Sequence, residues 1–287
     1  MVSLVSTVNL ATAPAIAQAL DVRITPTAPL IGETISVFIT GAQGESAPTV
    51  QMGGQTYPAF ALGGDCPEHC AERNRYRALL PTSPLEATGA RTVQVQDASG
   101  QQQTLSVTVR GRSFPIQRIT LRGGGSNATQ YELDRVAEFK RLVTPEKHWQ
   151  GPLVRPSAGR VSTIYGVRRY YNGVFAENYY HRGVDYAAGQ GTPIVAPAAG
   201  TVRLVDRENN GFRVHGNTVG IDHGQGVLSI MLHLHTIAVK EGDFVQAGQR
   251  IGTMGSTGAS TGPHLHWGLY VHGVAIDPVP WRFEGLE

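Results

Sequence analysis

Three short patterns in the last 110 or so residues gather side chains able to hold a metal ion: His181-Arg-Gly-Val-Asp185, His233-Leu-His235 and His264-Leu-His266. Neutral imidazoles with a single carboxylate are the usual ligands of a catalytic zinc, whose fourth position is kept for water. On a β-strand, residues i and i+2 face one side about 6.6 Å apart. His264 and His266 therefore look into the same cleft, either both as ligands or one as ligand and one as a proton carrier. His181 and Asp185 would stand roughly 13 Å apart on a straight strand, too far to share an ion with bonds of about 2.1 Å. Gly183 between them is expected to bend the chain. An isolated histidine is more often a surface or hydrogen-bonded residue. That reading applies to His69, His148, His215 and His272, which have no ligand-type neighbour at metal spacing, and His223 in Asp222-His-Gly224 reads as a turn residue. His235 competes with His233 for a place in the site.

Around these pairs the sequence becomes specific. Between His181 and His266 lie Gly191-Thr-Pro-Ile-Val-Ala-Pro197, Asn217-Thr-Val-Gly-Ile-Asp-His-Gly224, Met231-Leu-His-Leu234 and Gly248-Gln-Arg-Ile-Gly252, and the run closes on Ser256-Thr-Gly-Ala-Ser-Thr-Gly-Pro-His-Leu-His266. The ordered set, from about Val161 to Pro278, resembles the lysostaphin/LytM-type zinc metalloendopeptidases of bacterial cell walls. The resemblance implies an antiparallel β-sheet peptidase domain with one Zn2+ held by His181, Asp185 and His266. It makes His233 and His264 the two unligated catalytic histidines, and peptidoglycan stem peptides or cross-links the substrate, in the periplasm or outside the cell. The sequence departs from the family at His235 and Met231, where a small polar residue and a Tyr are usual.

The implied chemistry is hydrolysis of an amide. Zinc lowers the pKa of bound water from about 15.7 to about 7 and polarises the scissile carbonyl. A histidine titrating near pH 6.5 suits both proton transfers and typically contributes about 10²- to 10⁴-fold. No His-Glu-x-x-His helix motif is present, which excludes the thermolysin-like arrangement. Two other classes compete. Ala196-Pro-Ala-Ala-Gly-Thr-Val202 followed by Val239-Lys-Glu-Gly-Asp-Phe-Val-Gln-Ala-Gly-Gln-Arg-Ile-Gly252 looks like the hammerhead of biotinyl and lipoyl carriers, but the turn Gly252-Thr-Met-Gly-Ser-Thr257 lacks their modifiable Lys. A catalytically silent activator of cell-wall amidases would have lost ligands, whereas all five positions are retained here.

The elements that must position these residues are short strands. The chain has 35 Gly and 17 Pro in 287 residues with only 16% charged residues, the composition of strands joined by tight turns. A formal charge of +2 argues for neither nucleic acid nor a strongly anionic partner, and no apolar stretch is long enough to span a bilayer. The fold class expected is mainly β, divided as follows. Residues 1–19, uncharged and ending in Ala15-Ile-Ala-Gln-Ala19, read as a shortened leader or a disordered tail. Residues 20–122 read as an Ig-like β-sandwich that positions the enzyme or covers its groove. Its strands are Val22–Ile24, Thr34–Ile39, Tyr76–Leu80, Thr92–Val95 and Leu105–Val109. Residues 123–149 form a linker and docking helix, and 150–287 the zinc peptidase domain. Cys66 and Cys70 are expected to close a short disulfide loop in an oxidising compartment.

The linker helix has its own signature. Gly123-Gly-Gly125 precedes a capping box, Thr129-Gln-Tyr-Glu132, and Leu133, Val136, Phe139 and Val143 follow at helical spacing until Pro145. Finally, Val167-Arg-Arg-Tyr-Tyr-Asn172 and the run from Phe175 to Tyr180 lie just before His181 and are expected to shape the choice of bond.

Overall fold

The computed structural model describes residues 19–63, 75–120 and 127–283. Cys66, Cys70, Gly123–Gly125 and the first eighteen residues lie outside the described residues. In the first half, alternation of apolar and polar side chains produces β1 (Asp21–Thr25), β2 (Thr34–Thr40), β3 (Thr49–Met52), β4 (Gln55–Pro58), β5 (Phe60–Ala61), β6 (Tyr76–Pro81), β7 (Gly89–Gln96) and β8 (Gln102–Val109). They form two four-stranded antiparallel sheets, ordered β1-β2-β6-β5 and β4-β3-β7-β8. This is the A-B-E-D against C′-C-F-G arrangement of an immunoglobulin-type sandwich. Ile35, Val37, Val50, Ala78, Leu80, Val93, Val95 and Val107 fill the space between the sheets.

The connection carries β9 (Ile116–Ile119) and α1 (Gln130–Lys140), the one α-helix among the described residues. The second half contains β10 (Arg160–Thr163), β11 (Arg168–Tyr171), β12 (Val174–Phe175), β13 (Val184–Ala187), β14 (Pro193–Val195), β15 (Gly200–Asp206), β16 (Thr218–Gly224), β17 (Val227–Leu232), β18 (Leu234–Ile237), β19 (Phe244–Val245), β20 (Arg250–Met254), β21 (His264–Val271) and β22 (Val274–Ile276). Its main sheet runs β10-β13-β21-β17-β16-β15-β19, with β22 beside β21 and every pairing antiparallel. β16 and β17 are buried at every residue because both faces of the sheet are covered, and they enclose Thr218, Asp222, His223 and Ser229 among their apolar residues.

One cause of that burial is α1. Phe139 lies so close to Gly220 of β16 that a Cβ there would come within 2.8 Å of its ring, and Val136 and Phe139 belong to the same apolar cluster as the sheet. The helix differs from the expected stripe. Leu133 and Val143 are exposed, and the buried positions are Glu132, Val136 and Phe139. Thr129 does cap the helix, accepting from the Glu132 N–H. The Glu132 carboxylate, however, does not return to the cap. It accepts from the backbone N–H groups of Val214 and His215 and bonds to Nδ1 of the His215 ring, and those partners turn its face of the helix inward. The helix also stops at Lys140, ahead of Pro145, and the chain then hydrogen-bonds along the end of β16.

The sandwich docks through the outer face of β2 and β6. Ala78 and Leu80 face the sandwich core while Leu79 joins the second core, so alternation fails on β6 because both of its sides are covered. Arg77 donates to Gln225 and lies over the Trp149 ring, Trp281 donates to Thr34, and Arg112 pairs with Asp277 at 2.6 Å. Tyr57 packs on His272. These contacts gather where β17 begins and β21 ends, whereas His264 and His266 open β21. His272 is six residues beyond His266, about 20 Å along the strand.

His223 is not in a turn. It lies fully buried on β16, with Nδ1–H donating to the Ala199 carbonyl and Nε2 accepting from the Ser229 hydroxyl, which in turn accepts from the Trp267 indole. Burial pushes its pKa down to about 4, outweighing the bond to Ala199. With a folded value below the unfolded one of about 6.5, the neutral ring contributes stability above pH 6.5, and that contribution drains away as pH falls toward 4. The full loss is up to about 3 kcal/mol. Denaturant unfolding at pH 7.5 and 4.5 should show a smaller acid-induced loss for His223→Gln than for the parent chain; equal losses would remove His223 as a cause.

Candidate metal centre and active site

The pairing of β13 with β21 sets Asp185 opposite His266 and Ala187 opposite His264. Directly opposed residues of an antiparallel pair project to the same face with Cβ atoms about 4.5–5.5 Å apart. Asp185 Oδ1 consequently lies 2.9 Å from His266 Nδ1. His181 reaches the same point from the segment before β13, where its backbone pairs with Gly166 and Val167. Its Nε2 is 3.0 Å from Asp185 Oδ1 and 3.0 Å from His266 Nδ1. Gly183 serves this closure as a point of close approach: an added Cβ would stand 2.3 Å from the Trp267 carbonyl oxygen and 2.8 Å from His266 Nε2.

The protonation of the cluster follows from its outer bonds. His181 Nδ1–H donates to the Ile164 carbonyl at 2.8 Å, which leaves a lone pair on Nε2 facing the other two groups. Burial would raise the Asp185 pKa, but bonding to His181 and His266 more than offsets it and holds the carboxyl well below the usual range. Burial pushes His266 down to about 4, so its ring stays neutral. Two neutral imidazoles and one carboxylate with ligand atoms within 4.8 Å of one another fit a metal ion. A tetrahedral ion with bonds of about 2.1 Å wants those atoms about 3.4 Å apart, a few tenths of an ångström wider than here.

His233 and His264 stand beside this cluster with ring centroids 4.7 Å apart. His264 sits one strand step before His266, and its Nδ1–H donates to the Gly262 carbonyl at 2.8 Å. His233 follows the end of β17, just past the pairing of Leu232 with His266. Its backbone lies in the left-handed region, at φ 65°. Its N–H donates to the His215 carbonyl and its Nδ1–H to the Thr257 carbonyl. Both rings therefore keep Nε2 as the free nitrogen. Desolvation, reinforced by His264 and His266, pushes His233 down to about 3.

His235 is exposed on β18 and does not join the group, His148 packs edge-on against Phe244, and His69 lies outside the described residues. Two contributors escaped the sequence reading. Glu132 and His215 fix the turn whose carbonyl holds the N–H of His233. Their only sequence trace is a capping-box glutamate that serves a partner more than eighty residues away.

Residues 179–278 match the model for Peptidase family M23. This domain belongs to that family. Among curated relatives, an uncharacterized metalloprotease of Haemophilus influenzae is 41% identical over 177 residues, which cover 62% of this chain and 31% of the relative. The peptidoglycan DD-endopeptidase ShyC of Vibrio cholerae is 40% identical over 119 residues, 42% of this chain and 26% of that protein. The chain thus spans less than a third of the length of these relatives. A Pseudomonas aeruginosa crystal structure described under peptidase M23 covers 90% of this chain and 96% of its own, with 26% identity and a TM-score of 0.63.

Gly183→Ala tests the close approach behind the cluster. Gly183 has an ordinary backbone conformation, so the new methyl acts only through its contacts. Overpacking of this kind costs about 1–3 kcal/mol. Calorimetry should show a lower unfolding midpoint; an unchanged midpoint would mean that the segment stands further from β21.

Proposed function

We propose that the protein is a zinc-dependent endopeptidase acting on peptide stems or cross-links of bacterial peptidoglycan. The observation that carries this reading is the His181–Asp185–His266 triangle, with edges of 2.9–3.0 Å, flanked by two histidines whose Nδ1–H groups are tied to carbonyls. Bound there, zinc supplies a Lewis acid and a water acidic enough to ionise near neutral pH. Asp185 carries the one negative charge of the set, and the two imidazoles leave the centre net positive, which favours negative charge growing on the substrate carbonyl.

Proton movement falls to the other pair. His264 is only half-buried and can carry a charge in contact with solvent, so its Nε2 takes a proton from the attacking water and returns it to the leaving amine. His233 is 8% exposed, where an imidazolium would be costly, and its Nε2 orients the water by accepting a hydrogen bond. The printed activity of ShyC supports the substrate class, and an envelope location follows from such a substrate. No helix among the described residues is long and apolar enough to cross a membrane. We read 150–287 as the part that carries the chemistry and the sandwich strands of 20–122 as a unit docked at the far end of β21, with β9 of the same segment reaching back beside the metal cluster.

The isolated protein is expected to hold about one zinc per chain, and Asp185→Ala and His266→Ala to lose most of it, because two remaining ligands bind weakly. Elemental analysis decides this, and full occupancy in both variants would exclude the two residues as ligands. His264→Ala should keep its zinc while kcat on cross-linked peptidoglycan fragments falls about 10²- to 10⁴-fold. Parallel loss of metal and activity would instead put His264 in the coordination sphere.

A further inference from the structure

The arginine- and tyrosine-rich run before His181 belongs to a separate three-stranded sheet, β12-β11-β9, beside the metal cluster. β9 pairs in parallel with β11, Gln117 standing opposite Arg169, and β12 closes the other side of β11. Arg169 is half-buried, yet all its partners are neutral. Its Nε donates to Gln117 Oε1 at 3.0 Å, and one Nη to the Tyr179 hydroxyl at 2.7 Å and the Tyr171 hydroxyl at 3.3 Å. No carboxylate of the described residues forms an ion pair with it. Burial works against its charge, which the two tyrosines and, from the metal cluster, Asp185 favour.

The surrounding charge has one sign. Arg182 lies over the Tyr179 ring and Arg118 over the Tyr170 ring, while Arg168 donates to the Glu177 carbonyl and lies over the Phe175 ring. Glu177, the one acid between Tyr165 and Arg182, is exposed. A guanidinium half removed from water and bonded only to neutral groups gains when an anion arrives, and the second Nη, which none of these bonds occupies, can donate to a carboxylate. The bonds to Gln117, Tyr171 and Tyr179 fix that nitrogen in advance, reducing the ordering cost of binding.

We infer that Arg169, oriented by Gln117, Tyr171 and Tyr179, is the carboxylate-binding subsite of the cleft and selects peptide substrates that carry a free carboxylate near the scissile bond. This rests on the peptidase reading above. It gives the cleft a preference for acidic peptides, set by residues outside the metal cluster and partly by the segment that follows the sandwich.

Two synthetic cross-linked stem peptides, identical but for a free carboxylate in one and a carboxamide in the other, test it on the full chain. The parent protein should favour the carboxylate peptide at least tenfold in kcat/KM. Arg169→Gln should erase that preference by raising KM for this peptide, leaving kcat and zinc content within twofold and the carboxamide peptide unaffected. Arg169→Lys, which keeps the charge without the bonds that orient it, should recover part of the preference. Equal losses on both peptides, or no change on either, would overturn the subsite. Calorimetric binding of the two product peptides separates it from the peptidase reading. If neither peptide is cut but the carboxylate product binds more tightly and loses that advantage in Arg169→Gln, the subsite stands and the proposed reaction falls. Equal binding of both products overturns the subsite.

Discussion

The site depends above all on the register between β13 and β21. Opposing Asp185 to His266 places a carboxylate and an imidazole on one face at bonding distance, and the same register puts His264 next on that face. A slip by one residue would turn the whole set to the other side of the sheet. Gly183 permits the approach from behind, and His181 closes the triangle from an irregular segment held by backbone bonds to Gly166 and Val167. His233 is tied to the same frame, following the last paired residue of β17 in a left-handed conformation that its neighbours enforce.

Layers on both sides hold that sheet in place. α1 lies over β15 and β16, and its buried Glu132 binds the turn at 214–215 that holds the backbone of His233. β6 of the sandwich contributes Leu79 to the peptidase core and Arg77 to a buried contact with Gln225. The connection between the two halves is therefore structural twice over, as β9 beside the cleft and as α1 behind it. The sandwich strands meet the sheet at the end away from the His181–Asp185–His266 cluster, which separates that docking face from the candidate site along the length of β21.

Much of this was legible in residue order. The three patterns of metal-binding residue types, five of the eight strands of the sandwich and the start of α1 follow from spacing, alternation and a capping box, because each depends on neighbours within a few residues. The resemblance to lysostaphin-type peptidases supplied the division of roles, which spacing left open between His233 and His235 and between His264 and His266. What escaped depended on distant partners. Glu132 is buried because the N–H donors of its carboxylate, on Val214 and His215, lie more than eighty residues on, which rotates the helix away from the Leu133–Val143 stripe. His223 became a core residue only once Ser229 and Ala199 surrounded it. β9 has no alternation to announce it and exists because β11 pairs with it.

Diffraction from crystals of the zinc-loaded protein, recorded at the zinc absorption edge, tests the central claim most directly. One anomalous peak per chain is expected about 2.1 Å from His181 Nε2, an Asp185 oxygen and His266 Nδ1, with His233 and His264 outside bonding distance. A peak bonded to either of those two histidines, or one that leaves out Asp185, would contradict it.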